Sequence, residues 1–222
     1  MVSRDIIEAK RTAAALLAKH GRTYCDELEI NIARNTPSVL FRWLCATILF
    51  SARINARVAI AAAMALRRRG WTSARTMAAS TWEERTHVLN AAGYARYDES
   101  TSTKLGKAAE FMLHRYGGDL RRLREKAGRD AEEEHRLIQQ FTGIGPVGAD
   151  IFCREMQIAW QELYPFADAM ALDTARRLRL GDNARHLSTL VERDDFPRLI
   201  AALVRTHLAG DYAEVKRRQT AA

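Results

Sequence analysis

The chain has little of what interrupts or staples a fold. It holds four prolines and twelve glycines in 222 residues, which suits helices joined by short connections. Cysteine is scarcer: Cys25, Cys45 and Cys153 are odd in number and widely spaced. Such a set argues against a disulfide framework. No close pair suggests zinc, and three thiols cannot fill an ordinary four-cysteine iron–sulfur site. Cys45 and Cys153 lie in apolar runs, as buried thiols in a reducing compartment do. Long hydrophobic runs are missing too, since the longest, 58–66, is too short to cross a bilayer. The opening MVSRDIIEAKRT is polar and charged, unlike a secretory signal. A cytoplasmic protein without membrane association is expected. No Walker loop, dinucleotide loop or metal-ligand cluster occurs, so neither cofactor nor metal is expected.

What the chain does have is basic charge and helical periodicity. Lys plus Arg number 35 against 27 Asp plus Glu, a net charge of +8. That excess attracts phosphate polymers by counterion release, although a soluble protein can be basic without binding one. Arginine supplies 29 of the 35 cations. Apolar residues make up 47% of the chain, enough for a packed core. They recur at helical spacing nearly throughout, and no stretch alternates as a half-buried strand does.

The predicted helices follow from their start and stop signals. One runs over 3–20 and stops at Gly21. Another runs over 39–52 behind Thr36-Pro37-Ser38, and a third over 56–69 up to Gly70. Ser80 with Glu83, and Thr81 with Glu84, both have capping-box spacing before a helix reaching Ala92. Further helices are predicted over 98–116, ended by Gly117-Gly118, and over 119–127, 130–141 and 146–160, with two or three more in 170–209. The segment 160–168 (WQELYPFAD) is the clearest interior break. The fold class is all-α.

The most specific segment is LIQQFTGIGPVGADIFCREM, 137–156. One helix ends at Phe141, Thr142-Gly143-Ile144-Gly145 makes a tight turn, and Pro146 opens a second helix. Gly143 and Gly145 permit positive φ and close approach of another backbone. Ile144 serves as an apolar peg. Amides at the start of the second helix, from Val147 and Gly148 onward, point along the positive end of a dipole and can hold one phosphate without reading sequence. A glycine turn between two helices can also be purely structural.

FTGIGPVGA at 141–149 resembles the Leu-Pro-Gly-Val-Gly-x-x-Thr-Ala hairpin of the helix–hairpin–helix DNA glycosylase superfamily that includes endonuclease III. LFSAR at 49–53 resembles that family's Leu-Leu-Ser-Ala-Gln. ALDT at 171–174 resembles its Val-Asp-Thr-His, and Ala92-Gly93-Tyr94 fits its Gly-Leu/Phe-Tyr turn. The resemblance covers roughly 38–180 of the chain. It implies two helical domains with a cleft between them: residues 36–155, ending in the hairpin, and 1–35 joined to 156–222. It implies a monomer that bends double-stranded DNA, flips out a damaged or mismatched base and cuts the N-glycosidic bond.

In that reading Asp173 matches the family's essential carboxylate, which stabilises charge on the sugar or orients water. The plainer role is a helix N-cap, and Asp168 is the rival acid. Asp173 is expected to begin a helix whose Arg176 faces phosphate. Arg53 stands where the family has the glutamine that fills the space of the flipped base. The departures are equally informative. The family's Schiff-base lysine corresponds to Val147, so strand cleavage by that route is not expected. No cysteine follows Cys153, so no iron–sulfur cluster is expected. A non-catalytic DNA-binding module that keeps the hairpin is the alternative. Arg67–Arg69 and Arg121, Arg122 and Arg124 can hold phosphate or simply be solvated helix faces. Tyr94, Tyr97, Trp160, Tyr164 and Phe166 can stack on a base or pack in the core. His87, His114 and His135 lie on helices without ligand spacing.

Overall fold

A computed structural model of the protein describes residues 4–221. Among them there is no strand. The helices are α1 (Arg4–His20), α2 (Tyr24–Glu27), α3 (Pro37–Phe50), α4 (Ala56–Arg68), α5 (Ala74–Ala78), α6 (Trp82–Ala91), α7 (Asp98–Tyr116), α8 (Arg121–Lys126), α9 (Ala131–Ile138), α10 (Pro146–Met156), α11 (Ala169–Arg177), α12 (Ala184–Ser188), α13 (Phe196–Ala209) and α14 (Tyr212–Ala221). The expected start at Ser3 lies outside the described residues. No described helix is long and apolar enough to cross a membrane.

The helix boundaries follow local chemistry. Of the two candidate capping boxes before α6, Thr81 forms one: its hydroxyl accepts from the Glu84 amide at 3.1 Å, and Glu84 Oε2 accepts from the Thr81 amide at 2.9 Å. A second box, Ser73 with Thr76, opens α5 and was not legible as Glu or Gln spacing. Gly117 takes the left-handed conformation that ends α7.

The chain divides into two compact units, 27–162 and 1–26 with 163–222. The sequence expectation places those limits at 35/36 and 155/156. The difference has a packing cause. The Trp160 indole is fully buried, lies edge-on to Phe152 at 5.8 Å and donates to Asn35 Oδ1 at 3.1 Å. Both the chain after α10 and the turn before α3 therefore belong with the 27–162 unit.

In that unit α3 is buried along most of its length, including Leu40, Phe41, Trp43, Leu44 and Leu49. Burying each such side chain contributes roughly 1.5–3 kcal/mol. The Trp43 indole donates to the Phe152 carbonyl at 3.1 Å, tying α3 to α10. Arg85 of α6 is an unusual core member. Its guanidinium donates to the carbonyls of Ser80 at 2.7 Å and Ser102 at 3.0 Å. Gly106 makes room for it, since a Cβ there would stand 2.6 Å from Nη2. The Cys45 and Cys153 thiols are buried, which pushes both up and out of nucleophilic range.

The other unit has its own core from α1, α11, α12, α13 and α14: Leu16, Ala171, Leu187, Phe196, Ile200, Leu203 and Val215 are all fully buried. Asp211 joins α14 to α1, with its carboxylate bonded to His20 Nε2 at 2.9 Å and paired with Lys19 at 2.6 Å.

Candidate nucleic-acid interface

The hairpin is built by α9, the turn after it and α10. Asp130 caps α9 by accepting from the Glu133 amide at 2.8 Å. The helix ends at Ile138, three residues before the expected Phe141. The cause is the Phe141 ring, which leaves the helix to pack edge-on against Phe111 at 5.0 Å and stack on Tyr116 at 6.0 Å. The turn closes when the Ile144 amide donates to the Phe141 carbonyl at 3.0 Å. Gly143 has φ +97, a conformation that disfavours other residues. Ile144 is buried, as a peg should be.

Gly145 is the N-cap of α10, with φ −94 and ψ −168. This is ordinary extended backbone, so the expected positive φ is not what requires glycine here. Nothing lies within 4 Å of the place a Cβ would occupy. No side chain caps the helix, and Pro146 fills the first helical position. The Val147 and Gly148 amides thus have no intrahelical acceptor. Gly145, Pro146 and Val147 are exposed, Val147 to 68%.

Gly148 is glycine for a different reason. A Cβ there would meet Ser51 Oγ at 2.6 Å and Ile144 Cγ2 at 3.1 Å. The end of α3 therefore seats directly against the hairpin helix. Arg53 follows in the turn after α3 and is exposed. The Tyr94 hydroxyl donates to the Leu49 carbonyl at 2.7 Å, which brings the turn after α6 to the same end of α3. Three segments that matched in sequence are thus joined within one unit: 49–53, 92–94 and 141–149.

Several sequence-level candidates are buried or already paired. Tyr94 and Trp160 are completely buried and cannot stack on a base as they stand. Arg67 pairs with Glu29, and Arg69 with Glu84 at 3.3 Å. Arg121 pairs with Asp119 at 2.7 Å, and Arg124 with Glu162 at 2.5 Å. His135 bonds to Asp150 at 2.9 Å across the two hairpin helices, a partnership invisible in the sequence. Lys104 of α7, which no motif singled out, packs against Gly143.

The two candidate acids lie in the other unit. Asp173 does not begin a helix. It sits inside α11, its side chain 61% exposed and bonded to Arg176 one turn on. The helix starts at Ala169, where Asp168 is the N-cap: the residue is 6% exposed and its carboxylate accepts from the Ala171 amide at 3.0 Å. The capping role weighed for Asp173 thus belongs to Asp168, because the apolar periodicity of α11 begins one turn earlier than expected. Arg176 is held by Asp173, and Arg177 stacks on the Tyr212 ring at 3.8 Å. Among the described residues no group of three His, Cys, Asp or Glu side chains could hold a metal ion.

No family model matches the chain, and no curated protein matches it. Among solved structures, the chain is similar to a trapped endonuclease III–DNA covalent intermediate in an estranged-adenine complex. The two share 15% sequence identity with a TM-score of 0.49, over 75% of this chain and 73% of that one.

Proposed function

We propose that the protein binds double-stranded DNA through the 141–149 hairpin, without sequence preference, and excises a base from it. The observation that carries the binding is the Gly145 position. An extended N-cap with open space around it favours Asp, Asn or Ser, whose side chains satisfy the first-turn amides. Glycine leaves those amides free and the approach clear, which suits an outside anion and a backbone coming close. The basic excess of the chain acts in the same direction.

The excision reading rests on ALDT at 171–174 together with the hairpin and the 49–53 segment. Cleaving an N-glycosidic bond leaves positive charge on the sugar, and the Asp173 carboxylate would stabilise it or orient the attacking water. The position of the family's Schiff-base lysine holds Val147, so hydrolysis without strand cleavage is the proposed reaction. No iron–sulfur cluster is part of this proposal, and the acting species is a monomer. Arg53 would fill the space of the extruded base, and Arg176 would contact phosphate once DNA competes for it.

A second reading, a DNA-binding module that has lost the chemistry, is favoured by one observation. Asp173 is exposed and already paired with Arg176, without the dry surroundings that strengthen a carboxylate's effect on developing charge. Base release from a panel of damaged and mismatched duplexes separates the two. Release by the wild type that Asp173→Asn abolishes, with binding retained, supports excision. Equal inertness of both proteins across the panel, with binding retained, leaves the module.

A further inference from the structure

The Val147 position lacks a lysine, yet the fold brings one to the hairpin from another helix. Lys104 lies on α7, far from the turn in sequence. Its stem crosses Gly143: a Cβ on that glycine would stand 3.0 Å from Lys104 Cδ, 3.2 Å from Cγ and 3.3 Å from Cβ. Gly143 therefore serves twice, permitting φ +97 and leaving a channel for the lysine stem. Two turns further along α7, Phe111 packs on Phe141 at 5.0 Å, so this stretch of the helix runs beside the turn. Lys107, one turn after Lys104, is exposed, and Lys104 is half-buried. Among the described residues no carboxylate pairs with either ammonium group, although this chain pairs many of its arginines.

A lysine normally holds its stem on apolar surface and its ammonium in water. Here the stem lies against the hairpin turn, which keeps the ammonium near it. We infer that Lys104, with Lys107 beside it, binds strand phosphate next to the one held by the α10 amides, so that the hairpin and α7 grip one DNA strand together. This deepens the proposed function and rests on it. The amides offer a fixed partial charge and the ammonium a mobile full one, and both suit a phosphate oxygen. A lysine contact of this kind reads no base.

The test is a salt titration of duplex DNA binding, with random-sequence duplexes as the probe. Lys104→Met keeps an unbranched stem over Gly143 and removes the charge, and a thermal melt checks that the fold is intact. The expected result is weaker binding at low salt, with the slope of log affinity against log salt reduced by about 0.9. Adding Lys107→Gln should reduce it by about 0.9 again. Wild-type affinity and slope in Lys104→Met overturn this inference while leaving the hairpin reading intact. A wild-type protein that binds no duplex overturns the hairpin reading and this inference with it.

Discussion

Ser51 Oγ stands 2.6 Å from where a Cβ on Gly148 would be, so the end of α3 and the first turn of α10 fit only because residue 148 has no side chain. The same hydroxyl donates to the Thr47 carbonyl at 2.7 Å, which fixes its rotamer. Gly148→Ala must displace Ser51 or Ile144. A loss of about 1–3 kcal/mol is expected, the usual cost of overpacking. Adding Ser51→Gly should recover part of it, because the closer of the two clashes is then gone. Denaturant unfolding of the two single variants and the double variant checks this. Simple additivity would show that the contact does not constrain the hairpin.

Asp168 and Asp173 should separate cleanly in stability measurements. Asp168→Ala removes an N-cap bond and is expected to cost about 1 kcal/mol, while Asp173→Asn changes an exposed i,i+3 ion pair and should cost at most about 0.5 kcal/mol. If Asp173→Asn loses base release without losing stability, its role is chemical. Thermal melts run beside the activity assay read both. A larger stability loss at Asp173 than at Asp168 would reverse the roles assigned to them.

The Glu134 carboxyl is 1% exposed, and burial pushes it up to about 9, with the neighbouring Glu162 charge adding to the effect. Burial opposes ionisation of Glu162 as well, but the Arg124 guanidinium, bonded to it at 2.5 and 2.6 Å, holds it down at about 2. The raised group contributes stability that is complete below its ordinary value of 4.5 and is lost as pH rises through 9. The depressed group contributes stability that is lost as pH falls from 4.5 toward 2. Stability from this pair should therefore peak near pH 4.5 and decline through the neutral range. Glu134→Gln, which never ionises, should flatten the decline. Urea unfolding at pH 5, 7 and 9 checks it, and parallel curves for the two proteins would exclude a buried proton on Glu134.

Arg179 holds φ +59 just past the end of α11, where the Leu180 amide donates to the Ala175 carbonyl at 2.9 Å. Glycine is the usual residue at that place. Arg179→Gly is expected to stabilise the protein by about 1 kcal/mol, read as a raised melting temperature. A lowered one would mean that the arginine side chain makes a stabilising contact worth more than its backbone strain.

Several helix positions were legible from local signals, although α5, opened by Ser73 with Thr76, was not. Pro146 announced α10, Gly117 the end of α7 and Thr81 with Glu84 the start of α6, because caps act within one turn of chain. The end of α9 was misplaced because a tertiary contact, Phe141 on Phe111 and Tyr116, overrides local propensity there. The ALDT motif suggests a helix start at Asp173, whereas the apolar periodicity of α11 begins one turn earlier, behind Asp168. The hairpin's composition was legible, but the reason for Gly145 was not. Neither a positive φ nor a crowding neighbour requires glycine there, and only the surroundings show that. Lys104 could not have been found at all, since nothing in a sequence says which distant helix will lie across a glycine.

The most direct measurement compares wild type with Gly145→Asp. Aspartate is a better N-cap than glycine by a few tenths of a kcal/mol and has open space at this position. The variant should therefore melt at or slightly above the wild-type temperature while losing affinity for duplex DNA of every sequence, most strongly at low salt. Undiminished DNA affinity in a folded Gly145→Asp protein would contradict the hairpin as the phosphate anchor.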